Sequence, residues 1–406
     1  MSLDIPLFYG TMLMRSIIRP CDDILNQQFT IYKGKYMEPK DKKWLTTDYP
    51  EIIFEDNAVG RMKKELFDAP MSKIEKVLEE YGIPSDSELG KAGTYIQNTP
   101  RKEAIEKRKK NDIVLIPIGC SENHGDHANT GLDTFMVTQI IEGVRRYTAK
   151  KGYEVNLTFT PTNFGGHPYH HMGMPGTVII PPEVVRENII YTMLGLWNDG
   201  YRKMILVNNH GHLWTLVDAI QEFMKRFQLP AIVQVVDWHR AVREFFMPVD
   251  REDSLKTNFI HADEAETSVG LLMFKDMINM DYVRDAEGEQ FLPDGHFDLS
   301  VDPYRRPHRW SEGEGHIAIE RFATPEGVVG KPSLATAEKA KRPIAAILKY
   351  LTLCVEDILE AYPPGKLPDK ITLRDPKDLA PFMQEPWSEG WKSVYELPHV
   401  GPFHKG

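Results

Sequence analysis

The chain has 406 residues, 41% hydrophobic and 27% charged, the balance of a soluble globular protein with one large domain or two ordinary ones. A formal net charge of −10 excludes the concentrated basic face that a nucleic-acid surface needs. Three cysteines without metal-finger spacing (Cys21, Cys120, Cys354), no basic stretch leading into an apolar leader, and no bilayer-length apolar run point to a cytoplasmic protein with no membrane partner.

Residues 1–98 read as an N-terminal helical extension, whose clearest pattern, "NAVGRMKKELFDAPMSKIEKVLEEYGI", is interrupted at Pro70. Thr99 is the expected N-cap of the next helix, with Pro100 at its first position. That helix, "RKEAIEKRKK" (101–110), contains two glutamates and reads as a solvated helix face. Buried strands are expected over 112–119, 154–162, 203–209 and 230–238. Helices are expected between them, over 134–148, 182–199 and 213–228; in the first, Val137, Ile140, Ile141, Val144 and Tyr147 recur at helical spacing. Another helix follows His261, and a last one spans roughly 334–361. Strands alternating with helices of this length predict βαβ units and an α/β fold with a mostly parallel sheet. The catalytic domain is therefore placed at 99–361, and the proline- and aromatic-rich tail, 362–406, is expected to wrap the core or a neighbouring subunit.

In an open parallel sheet, ligands gather beyond the carboxyl ends of the strands. "DIVLIPIG" runs into Glu122 and His124, and "MILVNN" into His210 and His212. Both pairs are spaced i, i+2, which points side chains to one side of an extended backbone. Asp133 opens the following helix, where it can cap the helix or bridge two cations; beside Glu122 and His124 the bridge is the better account. Imidazoles with carboxylates suit zinc, manganese or iron rather than calcium or magnesium. In "HADEAETS" (261–268), His261 supplies a titratable group for proton transfer, with Glu264 and Glu266 at a helix start. The segment "GGHPYHHMGMPGT" (165–177) adds histidines, of which His167 and His171 are candidate substrate contacts.

These segments together resemble the creatininase (creatinine amidohydrolase) family. "IPIGCSENHGDHANTGLDT" is similar to its strand–E-Q-H–G-H–D signature, with Asn123 for glutamine, and "HMGMPGT" to its H-x-x-F-P-G-T turn, with Met174 for phenylalanine. "VNNHGH", "HADEAETS" and "GVVGKPSLATAEKA" resemble its later motifs in the same order, across residues 100–360. The resemblance implies a three-layer α/β sandwich, two divalent metals per chain and homo-oligomers, hexamers built from dimers. It implies Glu122, Asp133 and His210 on the first metal, and His124 with a bridging Asp133 on the second. It also implies His261 as the proton carrier and Trp238 over the substrate; Glu264 is a second catalytic candidate. Two positions depart from the family. His212 stands where creatininase completes its second metal with glutamate, so either His212 is that ligand or Glu266 is and His212 faces the substrate. Thr257 stands where creatininase has a second tryptophan.

The expected function is hydrolysis of a small polar carbonyl substrate by metal-activated water. With one stacking wall missing, a polyhydroxylated cyclic ketone of the inosose type, opened at a C–C bond, is favoured over a flat ring; a cyclic or formyl amide is the other substrate class. The alternatives are a thiol hydrolase using Cys120 and His124, and a non-catalytic metal- or polyol-binding protein.

Overall fold

The alternation inside two buried strands sets the architecture. Every residue of β3 (Ile113–Ile118) and β5 (Lys203–Asn208) is buried, so each strand must be covered on both faces. Ile113, Leu115, Ile205 and Val207 point into one core, and Val114, Ile116, Ile118, Met204 and Leu206 into the other. Two helical layers supply those covers, which makes a three-layer α/β/α sandwich.

The computed structural model describes residues 43–84, 88–158, 165–166, 173–178, 180–257, 259–286, 326–368, 374–385 and 389–397. All of these except Lys43 belong to one unit, Trp44–Gly406. In chain order the main elements are β1 (Trp44–Thr46), β2 (Ile53–Glu55), α1 (Ala58–Asp68), α2 (Met71–Tyr81), α3 (Arg101–Lys110), β3, α4 (Leu132–Lys151) and β4 (Asn156–Leu157). After them come α5 (Pro182–Asn198), β5, α6 (Leu213–Phe227), β6 (Ile232–Asp237), α7 (Trp238–Ala241), α8 (Glu264–Met273), α9 (Ala337–Ala361) and α10 (Pro376–Leu379). The central sheet has the order β4-β3-β5-β6, and every pair in it is parallel. Helices α4, α8 and α9, with α1 and α2, cover one face; α5 and α6 cover the other.

The N-terminal helices are keyed into this core. The buried guanidinium of Arg342 on α9 donates to the carbonyls of Leu66 (3.0 Å) and Ala69 (2.6 Å) at the C-terminal end of α1. The α1–α2 break falls at Pro70, where the ring ends one helix and starts the next. On the other face, Leu379, Val394 and Leu397 of the C-terminal tail join the core formed by α5 and α6. No helix among the described residues is long and apolar enough to cross a membrane.

Two local expectations change. Thr99 does not cap α3: its hydroxyl donates to the carbonyl of Tyr95 at 2.6 Å, closing the preceding turn, and Pro100 takes the cap position. The strand expected over 154–162 pairs only at Asn156 and Leu157, with 159–162 outside the described residues.

Candidate active site

Adjacent strands deliver the principal candidate ligands. Ile118 of β3 pairs with Asn208 of β5, so the segments carrying Glu122 and His124, and His210 and His212, leave the sheet side by side. Asp133 comes from the first turn of α4 and does not cap that helix; Gly131 holds the cap position. Asn209 orients it, donating from Nδ2 to the Asp133 carbonyl (3.2 Å) and Oδ1 (3.0 Å).

The third wall is built from a turn before α8. Ala262 has φ +47, a left-handed conformation that is strained for a residue with a Cβ, and its N–H donates to Glu266 Oε2 at 2.5 Å. The preceding residue, His261, pairs with Val329 as a short antiparallel bridge, its carbonyl accepting from the Val329 N–H at 2.9 Å. The late "GVVG" segment thus holds the His261 backbone in place. Gly327 in that segment has φ +71, and a Cβ there would lie 1.8 Å from Asn123 Oδ1, so the close approach requires glycine. The Asn123 carbonyl in turn accepts from His261 Nε2 at 2.8 Å.

The side chains converge on two neighbouring points. Asp133 Oδ2 lies 3.1 Å from His210 Nδ1, and Glu122 Oε2 lies 3.0 Å from the same nitrogen. Asp133 Oδ1 faces His124 Nε2 at 3.5 Å, with Glu266 Oε2 3.6 Å from that nitrogen. His261 Nδ1 looks onto Glu122 and Glu266 at 4.0 and 3.8 Å. Three groups have metal-binding spacing among the described residues: Cys120–Asp133–His210, Glu122–His124–His261 and His124–Asp133–Glu266. One carboxylate, Asp133, therefore belongs to two of them.

The donor set fits divalent cations. His124 is fully buried, and its Nδ1 is 3.0 Å from the Glu122 carbonyl, which can only accept; Nδ1 therefore carries the proton. That leaves the Nε2 lone pair facing two carboxylates, beyond hydrogen-bonding distance and without a hydrogen-bond partner. Only a positive charge reconciles these three groups. In the absence of an ion a proton answers the same attraction: burial works against a charged His124, but Asp133, Glu266 and Glu122 outweigh it and push its pKa up to about 10. Glu266 is raised well above the ordinary carboxylate range by burial, with Asp133 and Asp263 adding to the effect and His124 opposing it.

Of the residues singled out in the sequence, Glu122, His124, Asp133, His210, His261 and Glu266 lie together here. His212 lies against His210, ring centroids 4.6 Å apart and perpendicular, but belongs to none of the three groups. Glu264 points elsewhere. Its carboxylate accepts from the backbone N–H groups of Lys256 and Thr257, from the Thr257 hydroxyl (2.8 Å each) and from the buried Lys339 ammonium. Positions two apart on a helix diverge by about 200°, so Glu264 and Glu266 cannot share a target. Trp238, expected over the substrate, is completely buried; its indole N–H donates to Asn209 Oδ1, and its ring packs on Phe246. It braces the residue that orients Asp133. His167 and His171 lie outside the described residues. Sequence reasoning missed Asn209, whose only signal was its place beside His210.

A buried pair of carboxylate–imidazole clusters beyond the carboxyl ends of a parallel sheet marks a metal-dependent hydrolase. The chain belongs to the creatininase family, whose model, described as creatinine amidohydrolase, matches residues 97–355. It is 41% identical over 305 residues to the 3-dehydro-scyllo-inosose hydrolase of Thermotoga maritima, covering 75% of this chain and 96% of that protein. It is 22% identical over 205 residues to the creatinine amidohydrolase of Pseudomonas putida, covering 48% of this chain and 76% of that one. Among solved structures, a tryptophan-to-phenylalanine mutant of creatininase superposes with a TM-score of 0.51 at 17% identity, over 67% of this chain and 99% of that one. A creatininase with Mn gives a TM-score of 0.50 at 19% identity, over the same shares. These structures share the α/β fold. The protein is accordingly an enzyme of a family of hydrolases that use divalent metal and act on small substrates.

Proposed function

We propose that the enzyme uses two metal ions to open a small polyhydroxylated cyclic diketone of the inosose class by hydrolysis of a C–C bond. The observation that supports two ions is the Asp133 carboxylate, with one oxygen toward His210 and the other toward His124. In this reading Glu122, Asp133 and His210 hold one ion, and His124, Asp133 and Glu266 hold the other. The donors suit zinc or manganese, with iron as a third candidate. Divalent ions so held polarise a carbonyl oxygen and lower the pKa of water.

The substrate reading rests on the 41% identical relative, which matches over 96% of its length and is named for 3-dehydro-scyllo-inosose. That name denotes a cyclohexane polyol with two ketones flanking one hydroxylated carbon. The oxygen of water forms a bond to one ketone carbon, and the bond from that carbon to the shared carbon breaks. Its electron pair passes into an enolate of the second ketone, and a proton then adds to the shared carbon. One water is consumed, nothing is oxidised overall beyond the internal redistribution, and an open-chain keto acid results.

His261 fits the proton transfers. Its Nε2 donates to the Asn123 carbonyl, which fixes the tautomer and leaves the Nδ1 lone pair toward Glu122 and Glu266. Nδ1 takes the proton released by water and returns it to the shared carbon. A thiol mechanism through Cys120 lacks support, because that thiol is buried and burial pushes its pKa up, even with His210 beside it.

The test is turnover by the zinc- or manganese-loaded enzyme of a dehydro-inosose, creatinine and a formamide in 18O-labelled water. The expected product is a keto acid one water heavier than the diketone, with label in the new carboxylate. Turnover of creatinine or the formamide alone would move the substrate to the amides.

Three coarser proposals accompany this one. The hydrolase domain spans 99–361, with an extension before it and a tail after it, supported by the family match over 97–355. A homo-oligomer, dimer or hexamer, is supported by Val184, Tyr191 and Trp214, which remain 52%, 45% and 55% exposed. A cytoplasmic location is supported by the unpaired Cys120 and Cys354.

A further inference from the structure

Among the described residues, His212 is the one histidine beside the candidate metal cluster with both ring nitrogens unengaged. The residue is 3% exposed, and neither Nδ1 nor Nε2 makes a hydrogen bond. Its backbone occupies the cap position before α6, yet its side chain does not cap that helix. Its ring stands edge-to-face with His210 at 4.6 Å, a contact that a phenylalanine would make as well. Leaving a buried polar group unpaired is unfavourable, and such groups in native structures are met by a water, an ion or a bound ligand. Two in one ring, beside the reacting centre, call for a polar ligand.

Two kinds of ligand are conceivable at this position, a metal ion and the substrate. The metal-binding groups already pair His124 and Asp133 with Glu266, and His212 belongs to none of them. Glu266 thus stands where a second ion needs its carboxylate, and His212 is left over. Neutral imidazole offers one donor and one acceptor. That combination matches two hydroxyls of a polyol, one donating to the ring and its neighbour accepting from it. A carboxylate in the same place would only accept.

We infer that His212 is a specificity-determining residue: its two ring nitrogens bind hydroxyl groups of the cyclitol ring, away from the carbonyl under attack. The inference rests on the inosose reading of the site, and it explains why an imidazole stands where the family resemblance places a glutamate ligand.

Two variants test it, His212→Phe, which keeps a ring against His210, and His212→Asn, which keeps a donor and an acceptor. Metal per chain is measured by elemental analysis, and binding of scyllo-inositol, the polyol with both ketones reduced, by calorimetry on the metal-loaded proteins. KM and kcat are measured with a dehydro-inosose. The expected result is wild-type metal content in both variants, and a polyol Kd and KM raised about 10- to 100-fold in His212→Phe, the loss of two hydrogen bonds. Its kcat changes by less than about 5-fold, and His212→Asn recovers most of the binding. Loss of one metal equivalent from both variants would make His212 a ligand and overturn the inference. Unchanged Kd and KM, or no polyol binding by the wild type, would overturn it equally. If the wild type binds the polyol but does not hydrolyse the diketone, the inosose reaction fails while the binding comparison still decides the role of His212.

Discussion

Asp133 and Glu264 are both buried acidic side chains at helix starts, and their surroundings give them opposite duties. Asp133 lies between two imidazoles, its Oδ1 accepting from Asn209 and its Oδ2 hydrogen-bonded to His210 Nδ1. Glu264 is enclosed by Lys339, two backbone N–H groups and a hydroxyl, which fix it in place. Glu264→Gln is therefore expected to destabilise the fold by roughly 3–5 kcal/mol, because it strands a buried ammonium. Metal content and kcat per folded molecule should stay within about 3-fold of wild type, far short of the 100-fold or greater loss expected of a general acid–base residue. Urea unfolding and elemental analysis on the same preparation check both halves, and a collapse of kcat at full stability would return Glu264 to the chemistry. The nearness of Glu122 and His124 was legible because period-two spacing aims them together. Glu264 and Glu266 were not separable in that way, since the sequence shows acidic residues at a helix start without showing which side of it the cluster occupies. Trp238 misled for a related reason: a residue at the end of β6 can face the cleft or the core, and here its indole N–H donates inward to the Asn209 side-chain oxygen.

At the scale of elements, periodicity revealed the four long helices and the two central strands, because burial on one helix face or on both sheet faces writes itself into sequence. It did not reveal β1 and β2, three residues each, which are too short for a pattern. Nor did it reveal that α1 would dock through Arg342, a contact between residues more than 270 positions apart. The loops that aim the ligands rely on backbone features instead. Gly327→Ala should be costly, since it adds strain at φ +71 and a Cβ 1.8 Å from Asn123 Oδ1. Gly93→Ala, at φ +83 with nothing within 4 Å of its Cβ, incurs only the backbone strain, of order 1–3 kcal/mol. Thermal melts should therefore show the larger loss of Tm for Gly327→Ala. Because Asn123 also holds His261, that variant alone should lose kcat. Equal effects from the two glycines would remove the close approach from the account.

For the whole molecule, the sheet and its flanking layers are joined by a buried ion pair at the end opposite the carboxylate–imidazole cluster. Lys203, fully buried at the start of β5, donates to Asp112 Oδ1 (2.7 Å) and to the carbonyls of Tyr362 (2.5 Å) and Pro363 (3.0 Å) just after α9. Lys203→Met removes the ion-pair partner of the buried Asp112, and should lower the unfolding free energy by roughly 3–5 kcal/mol while sparing metal content, as urea melts and elemental analysis would show. A drop below about 1 kcal/mol would mean that solvent reaches the pair.

The most direct test of the central claim is metal per chain, measured by elemental analysis on protein purified without added metal or chelator, for wild type and Asp133→Asn. The amide keeps the size of the side chain but removes the charge shared by the two clusters. About two transition-metal ions in the wild type, falling below one in the variant, is the predicted result. Wild-type protein that turns over substrate without metal, or a variant that keeps both ions, would contradict it.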